Sequence, residues 1–587
     1  MITPADVNHP LYYLHNFNSA LNWVLQHSSD ILAAEEQQQI NDFQLLTDDA
    51  RALLLRMVMR KGEQFLPGSF HYAEIVDIDA AMTALSDAGF IEQQPEVSLD
   101  ELYPLLRKDD ILQLLQHQQQ YRSDLTPALQ TVKKSLKKDA LWQLALMLST
   151  GSEGNDQRMT YQQWTGQNTA HISLRCMPLF DTIRLLFFGN YWQDWSEFVL
   201  TELGHQRYEA VPLTESSRAF PLRNDLLFFQ RLGELQQQHS QCVDDWKNRQ
   251  LSAEQCAAAL LAVSQQATAA EPPSITWLEQ RRQRFLADIG RDLERTGALD
   301  TALSVYALSS HREAQVRALR VSELLAVSSS DYQAVAERAH QLLNNIQHPE
   351  SRITLERIYQ RMARKCGIKV SAKRRTIKEY PSRYLSLSDN ADAVEYQVMD
   401  ALNQQNSGQC WYVENTLLPA LFALLFWPAI YKPVAGAFFH PFQSGPADLF
   451  RDDFSTARTA EIEDAFRAIE EGRYQQIIHS RYDEKYGISC PLIHWPTLTK
   501  ELLQQALVNI PAAHLQAVFH HLLSELRHHS RGLPDLVWFA DGQTQPPGWS
   551  LIEVKGPGDR LQDHQRLWLD FFLQHDIDAS VCYVSYD

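Results

Sequence analysis

The sequence predicts a multidomain, mainly α chain that closes on an α/β domain. Three observations carry this prediction. The chain has 587 residues, too many for one hydrophobic core and enough for about three to five domains. From about residue 155 to 380 apolar residues recur almost throughout at helical spacing, with Gln-rich exposed faces. Near the end, LPDLVWFA and WSLIEVKG read as β-rich runs joined by DGQTQPPG, DRLQDHQRLWLDFFLQH returns to helical periodicity, and SVCYVSY reads as a further strand. Strand, strand, helix, strand is an α/β pattern.

In chain order, DDARALLLRMVMRKGEQF (48–65) opens on an acidic N-terminal signal and ends on basic residues and Gly62. DIDAAMTALSDAGFIEQ (77–93) repeats that shape and closes at Gly89. Two short helices and an extended piece fit a winged-helix unit over 1–95, and equally fit helical scaffolding. A second small unit spans about 96–150, where Lys133, Lys134, Lys137 and Lys138 crowd one helix start and suit phosphate contact. A helical region then runs over 151–385. Within it Leu286, Gly290, Gly297, Ala302 and Tyr306 fall at the spacing of a tetratricopeptide repeat. The small residues let two antiparallel helices approach, and Tyr306 fills the gap beyond them. Such a unit completes its core by stacking on neighbours. Residues 386–587 form the α/β domain, entered through the apolar run LLPALFALLFWPAIY (417–431). Pro419 and Pro428 interrupt that run, and its 15 residues are short for a membrane span. A buried helix is expected.

Composition excludes several classes. Hydrophobic content of 44% with 21% charged residues is that of a soluble globular chain. The opening MITPADVNHPLYYLHNF carries no basic segment followed by an apolar one, so no secretory signal is expected. Seven scattered cysteines form no C-x-x-C pair, which suggests neither a zinc site nor a disulfide framework. A cytoplasmic location, in the bacterial cytosol and at the nucleoid when acting, is the reading. No G-x-x-x-x-G-K-[ST] or G-x-S-x-G occurs, so no nucleotide cofactor and no serine nucleophile is expected. The net charge of −19 argues against nucleic-acid binding by the whole surface. A local basic track remains: ten basic residues against two acidic ones over 356–383, Arg374 and Arg375 among them. By itself this reads equally as a solvated helix face and linker.

The chemistry concentrates in GLPDLVWFADGQTQPPGWSLIEVKG (532–556). Side chains alternate along a strand, so Glu553 and Lys555 share a face and a hairpin can set Asp535 beside Glu553. Two carboxylates held close need a proton or a cation between them. A hard divalent ion, Mg²⁺ or Mn²⁺, suits an all-oxygen set that the Val554 carbonyl can join. Lys555 would then face water or phosphate at the open side. This set suits phosphodiester hydrolysis. A surface hairpin with charged ends is the bland alternative. His521, Glu525 and His529 lie four apart, a spacing that also occurs in zinc sites. Such clusters are more often polar helix faces, and no H-E-x-x-H is present.

RGLPDLVWF, SLIEVKGPGDRLQDHQRLWLDFF and ASVCYV together resemble the VRR-NUC branch of the PD-(D/E)XK nucleases, and more closely the Fanconi-associated nuclease family, as a bacterial member. LYYLHNFNSALNWVLQ, LLLRMVMRKGEQF and ALSDAGFIEQ resemble that family's winged-helix part, the lysine-bearing segment before 150 its SAP-like part, and the 286–306 repeat its TPR-like part. The resemblance implies a metal set of Glu414 (from WYVENTLLPALFALLFW), Asp535, Glu553 and the Val554 carbonyl, with Lys555 catalytic. By itself Glu414 reads as an acid at a helix N-terminus. Gln443 matches a family glutamine near the site, and Arg527 a family arginine that holds substrate phosphate. Where some members carry a basic residue after the E-x-K, this chain has His564. Arg281, Arg284, Arg312 and Arg317 are candidates for completing a 5′-phosphate pocket.

The activity implied is metal-dependent and structure-selective: 5′-flap cleavage and 5′ to 3′ exonuclease action on branched double-stranded DNA, leaving a 5′-phosphate, in interstrand cross-link repair. A branched-DNA-binding scaffold with a degenerate nuclease fold is the alternative. A restriction-like endonuclease is a more distant one, since no sequence-reading element stands out.

Overall fold

The structure, a computed structural model, describes residues 5–121, 135–149, 157–214, 217–346, 348–368, 379–388, 392–405, 408–451, 453–540 and 548–586. It divides into two compact units. The first comprises Met1–Gln206 with Thr214–Ala219 and Phe439–Pro441, and the second the remainder.

In the first unit Thr47 accepts from the Ala50 N–H (3.3 Å) to start the helix Asp48–Val58, and Asp77 accepts from Ala80 (2.9 Å) to start Ile78–Asp87. Both helices are shorter than their sequence stretches because Gly62 and Gly89 take positive φ in the turns that follow. Strands β1 (Gln64–Phe65), β2 (Ile91–Gln93) and β3 (Ile172–Leu174) form a sheet in the order β1-β3-β2, antiparallel throughout. The central strand therefore comes from far downstream, from residues that the sequence reading assigned to a helical region opening at 151. Met159 also bridges to Val97, and Trp164 Nε1 donates to the Val97 carbonyl (2.9 Å). These contacts close a small core of Leu102, Ile111, Leu115, Leu141 and Trp164. Lys138 begins the helix Lys138–Ser149 and lies over the Tyr103 ring, while Lys133 and Lys134 fall outside the described residues.

In the second unit, seven helices lie between Arg223 and Lys365 among the described residues. The repeat at 286–306 is a hairpin of Thr276–Thr296 and Leu299–Tyr306, turned at Gly297 with φ +88°. A Cβ at Gly290 would collide with the Tyr306 ring, which is the close approach the spacing predicts. Tyr306 is buried, and its hydroxyl donates to Glu294 (2.6 Å).

Five strands follow: β4 (Ser382–Leu387), β5 (Gly408–Tyr412), β6 (Leu536–Ala540), β7 (Trp549–Lys555) and β8 (Ala579–Tyr586). Their order is β4-β8-β7-β6-β5; β7 and β4 run parallel to β8, whereas β6 runs antiparallel to both β7 and β5. β4 starts at Ser382, ahead of the 386 boundary. The central strand β7 is buried along its whole length. One sheet face, with Leu536, Ile552, Val554 and Cys582, packs with Val398 and Leu402 of the helix Val394–Gln405. The other, with Val537, Leu551 and Val581, joins a large core with Trp568 and Phe572 of the helix Asp563–Gln574. The apolar run becomes two buried helices, Leu417–Leu425 and Trp427–Ile430, with Pro428 at the start of the second. No helix among the described residues is long and apolar enough to cross a membrane.

Candidate active site

The strand pairing builds the site. Leu536 pairs with Ile552, so Asp535, one residue before β6, comes level with Glu553 on β7. Both project to the face that carries Leu551 and the helix Asp563–Gln574. Asp535 is fixed by its own backbone and side chain. Its carbonyl accepts from the Val413 N–H (2.8 Å), and its Oδ2 accepts from the Val554 N–H (2.7 Å). Asn415, in left-handed backbone at φ +53°, accepts from the Leu533 N–H (3.0 Å). These bonds tie 413–415 to 533–535 and hold Glu414 over the sheet end, in the turn between β5 and the first apolar helix.

The centre is rich in ionisable groups and buried. Glu553 is 1% exposed and Asp535 8%. Lys555 Nζ lies 2.8 Å from Glu553 Oε1, which also accepts from Gln565 Nε2 at 2.5 Å. Burial, and after it the Asp535 charge, push the Glu553 carboxyl up to about 8, with Lys555 opposing the shift. Burial also pushes Asp535 up to about 6, against the Val554 N–H and together with Glu414. Glu414 accepts from the Tyr412 hydroxyl (2.6 Å). Two carboxyls whose pKa values are raised by burial and by neighbouring carboxylates, Glu553 by Asp535 and both by Glu414, fit a divalent cation that replaces their protons. Glu414, Asp535 and Glu553 would hold it, and the ion would polarise a phosphoryl oxygen and acidify a water.

A cavity of about 1130 Å³ in the same unit gathers Arg281, Arg284, Arg312, Arg451 and Arg527. Acidic groups also line it, but Arg282 pairs with Glu279, Arg291 with Asp288 and Glu313, and Arg312 with Glu525. Arg284 and Arg527 make no ion pair among the described residues. Burial, with Arg284 and Arg531 nearby, lowers the Arg527 pKa, the signature of positive charge short of counter-charge. Arg281 donates to Gln236 (3.0 Å).

Not every expected residue joins these groups. Arg317 donates to Glu294 (2.9 Å) and Tyr306 (3.2 Å), clamping the helical hairpin, and is not among the residues lining the cavity. Gln443 donates to the Ala437 carbonyl (3.1 Å) within its own loop. His564 lies against Gly532, with Nδ1 4.0 Å from Glu350. Arg374 and Arg375 lie outside the described residues. His521 and His529 do not form a zinc face: the helix ends at Ser524, and Glu525 breaks it at φ −159°. The two rings then stack at 3.8 Å, and His529 Nδ1 meets the His521 carbonyl. Sequence reading missed Tyr412, Gln565 and Arg451. Of these only Gln565 carried a signal, as the third residue of a capping box whose Oε1 accepts from the Gln562 N–H.

A partly antiparallel five-stranded sheet with paired acids and a lysine at one strand end defines a metal-dependent phosphodiesterase. The comparisons are specific. Residues 469–586 match the VRR-NUC domain family, and residues 11–92 match the family described as FAN1, HTH domain. A Fanconi-associated nuclease 1 homolog from Pseudomonas aeruginosa is 37% identical over 98% of this chain and 96% of its own length. A homolog from Oryza sativa is 26% identical over 98% of this chain and 62% of its own. A crystal structure of paFAN1 bound to 5′-flap DNA with a gap superposes with a TM-score of 0.86 at 35% identity, covering 99% of this chain and all of that one. The chain belongs to the Fanconi-associated nuclease family and is a DNA nuclease that hydrolyses phosphodiester bonds.

Proposed function

We propose that this nuclease is structure-selective, cutting 5′ flaps in branched double-stranded DNA and degrading 5′ to 3′, with Mg²⁺ or Mn²⁺, in interstrand cross-link repair in the bacterial cytosol. The observation that carries the reading is the convergence of Glu414, Asp535, Glu553 and Lys555 at one sheet end. The flap-bound relative supports the choice of substrate.

Glu414, Asp535 and Glu553, with the Val554 carbonyl, would hold the divalent ion, which when bound would draw in and polarise the scissile phosphate. Lys555, held by Glu553, donates to the attacking water and offsets charge growing on the phosphoryl oxygens. Water attacks phosphorus in line with the departing 3′ oxygen, leaving a 3′-hydroxyl and a 5′-phosphate. Arg284 and Arg527, with Arg281 and Arg451 around them, grip a substrate phosphate in the cavity. The winged-helix and SAP-like units and the 356–383 track hold backbone phosphates without reading bases.

An end-labelled 5′-flap duplex with Mn²⁺, run with Asp535→Ala in parallel, tests the reading. Cleavage near the junction is expected, lost in the variant while binding persists. Tight binding without cleavage by the parent protein in either metal would leave only a scaffold. For the repair role, a deletion strain should be sensitised to a DNA cross-linker and rescued by the parent gene but not by Asp535→Ala.

A further inference from the structure

We propose that His348, Glu350 and His528 bind a transition-metal ion of the zinc class, at a site separate from the nuclease centre. His348 caps the helix Pro349–Lys365, and Glu350 stands in its first turn. His528 belongs to the one-turn helix Leu526–His529, re-aimed by the break at Glu525. One ligand atom from each residue lies within 4.8 Å of the others.

The approaches are of the wrong length for direct bonding. His528 Nε2 is 3.8 Å from Glu350 Oε1, and the His348 and His528 ring centroids are 4.4 Å apart. His564 Nδ1 stands 4.0 Å from the same Glu350 oxygen, available as a fourth ligand. A simple imidazolium–carboxylate pair would close to hydrogen-bond distance, about 2.8 Å. Ligands on a tetrahedral zinc at about 2.0–2.1 Å sit about 3.3 Å from one another, a spacing that small side-chain rotations reach here.

The surroundings also fit. Arg312 is spent on Glu525, and Glu350 makes no closer ion pair among the described residues. His348 Nδ1 lies 3.2 Å from Ser351 Oγ. The same Nδ1 accepts from the Ser351 N–H (3.3 Å) as the helix cap, contacts that fix the orientation of the ring as outer-shell partners do for a ligating histidine. Imidazole-rich donors select zinc-class ions over Mg²⁺, whereas the nuclease set is all oxygen. The ion would join the last helix of the helical region to the turn that carries Arg527, bracing the cavity.

The test uses full-length, metal-stripped Asp535→Ala protein, so that the nuclease centre contributes little binding. Co²⁺ titration should show one equivalent with the intense visible bands of four-coordinate Co²⁺, and Zn²⁺ should displace it and raise Tm. His528→Ala and Glu350→Gln, at partly exposed positions, should each weaken binding at least tenfold and abolish the Zn²⁺ shift in Tm, with the circular dichroism spectrum unchanged. Absence of stoichiometric binding, or binding unaltered in both variants, would overturn the proposal.

Discussion

Glu553 shows how one residue couples stability to function. Its folded pKa, about 8, exceeds its ordinary 4.5, so the metal-free folded state binds the proton more tightly than the unfolded chain does. Stability is therefore lost as pH rises from about 4.5 to 8, by up to about 1.4 kcal/mol per pH unit for one proton. In chelator, Tm should fall across that window; Mg²⁺ or Mn²⁺ should restore it most at the alkaline end, and Glu553→Gln should flatten the slope. Asp535, raised to about 6, contributes a slope of the same sign below pH 6, so a slope that persists in Glu553→Gln between about pH 6 and 8 would assign the effect to other groups. Gln565 acts through Glu553. Gln565→Leu should weaken metal affinity about 10–100-fold, read as the Mn²⁺ concentration for half-maximal cleavage, while saturating Mn²⁺ restores most of the rate. Sequence alone offered Asp535, Glu553 and Lys555 as a set because strand periodicity fixes which side chains share a face. Glu414 needed the family resemblance, since its place depends on the Asn415 and Val413 bonds across more than a hundred residues.

Among the elements, the helical hairpin and the cavity divide the arginines between them. Tyr306 cannot retreat from a Cβ at position 290, because Glu294 and Arg317 hold its hydroxyl. Gly290→Ala should accordingly destabilise by about 1–3 kcal/mol despite alanine's better helix propensity, seen as a lower Tm of the second unit. Arg317→Ala should likewise lower Tm yet leave flap affinity and its salt dependence unchanged. Arg527→Ala and Arg284→Ala should instead weaken flap binding and reduce the salt slope by about one each, with little change in Tm. An unchanged slope in both would remove the cavity from substrate binding. Spacing nominated Arg281, Arg284, Arg312 and Arg317 alike. Only packing separates a guanidinium spent on Glu294 from one that faces open space.

Across the molecule, local signals were legible and long-range ones were not. The helix start at Asp77, the Gly290–Tyr306 approach, the burial of the apolar run and the strand pair around Asp535 and Glu553 all follow from residues close in sequence. Periodicity and turn chemistry act over a few residues, so the chain by itself determined those elements and the clustering of carboxylates and lysine on the hairpin. Tertiary structure decided the rest. It inserted β3 between strands lying far upstream, recruited β4 and β5 to the edges of the nuclease sheet, and broke the histidine-rich helix at Glu525, which sent His528 toward His348. Such choices depend on which distant surfaces bury together. The energy of that burial resides in pairs of segments, so no single stretch of sequence displays it.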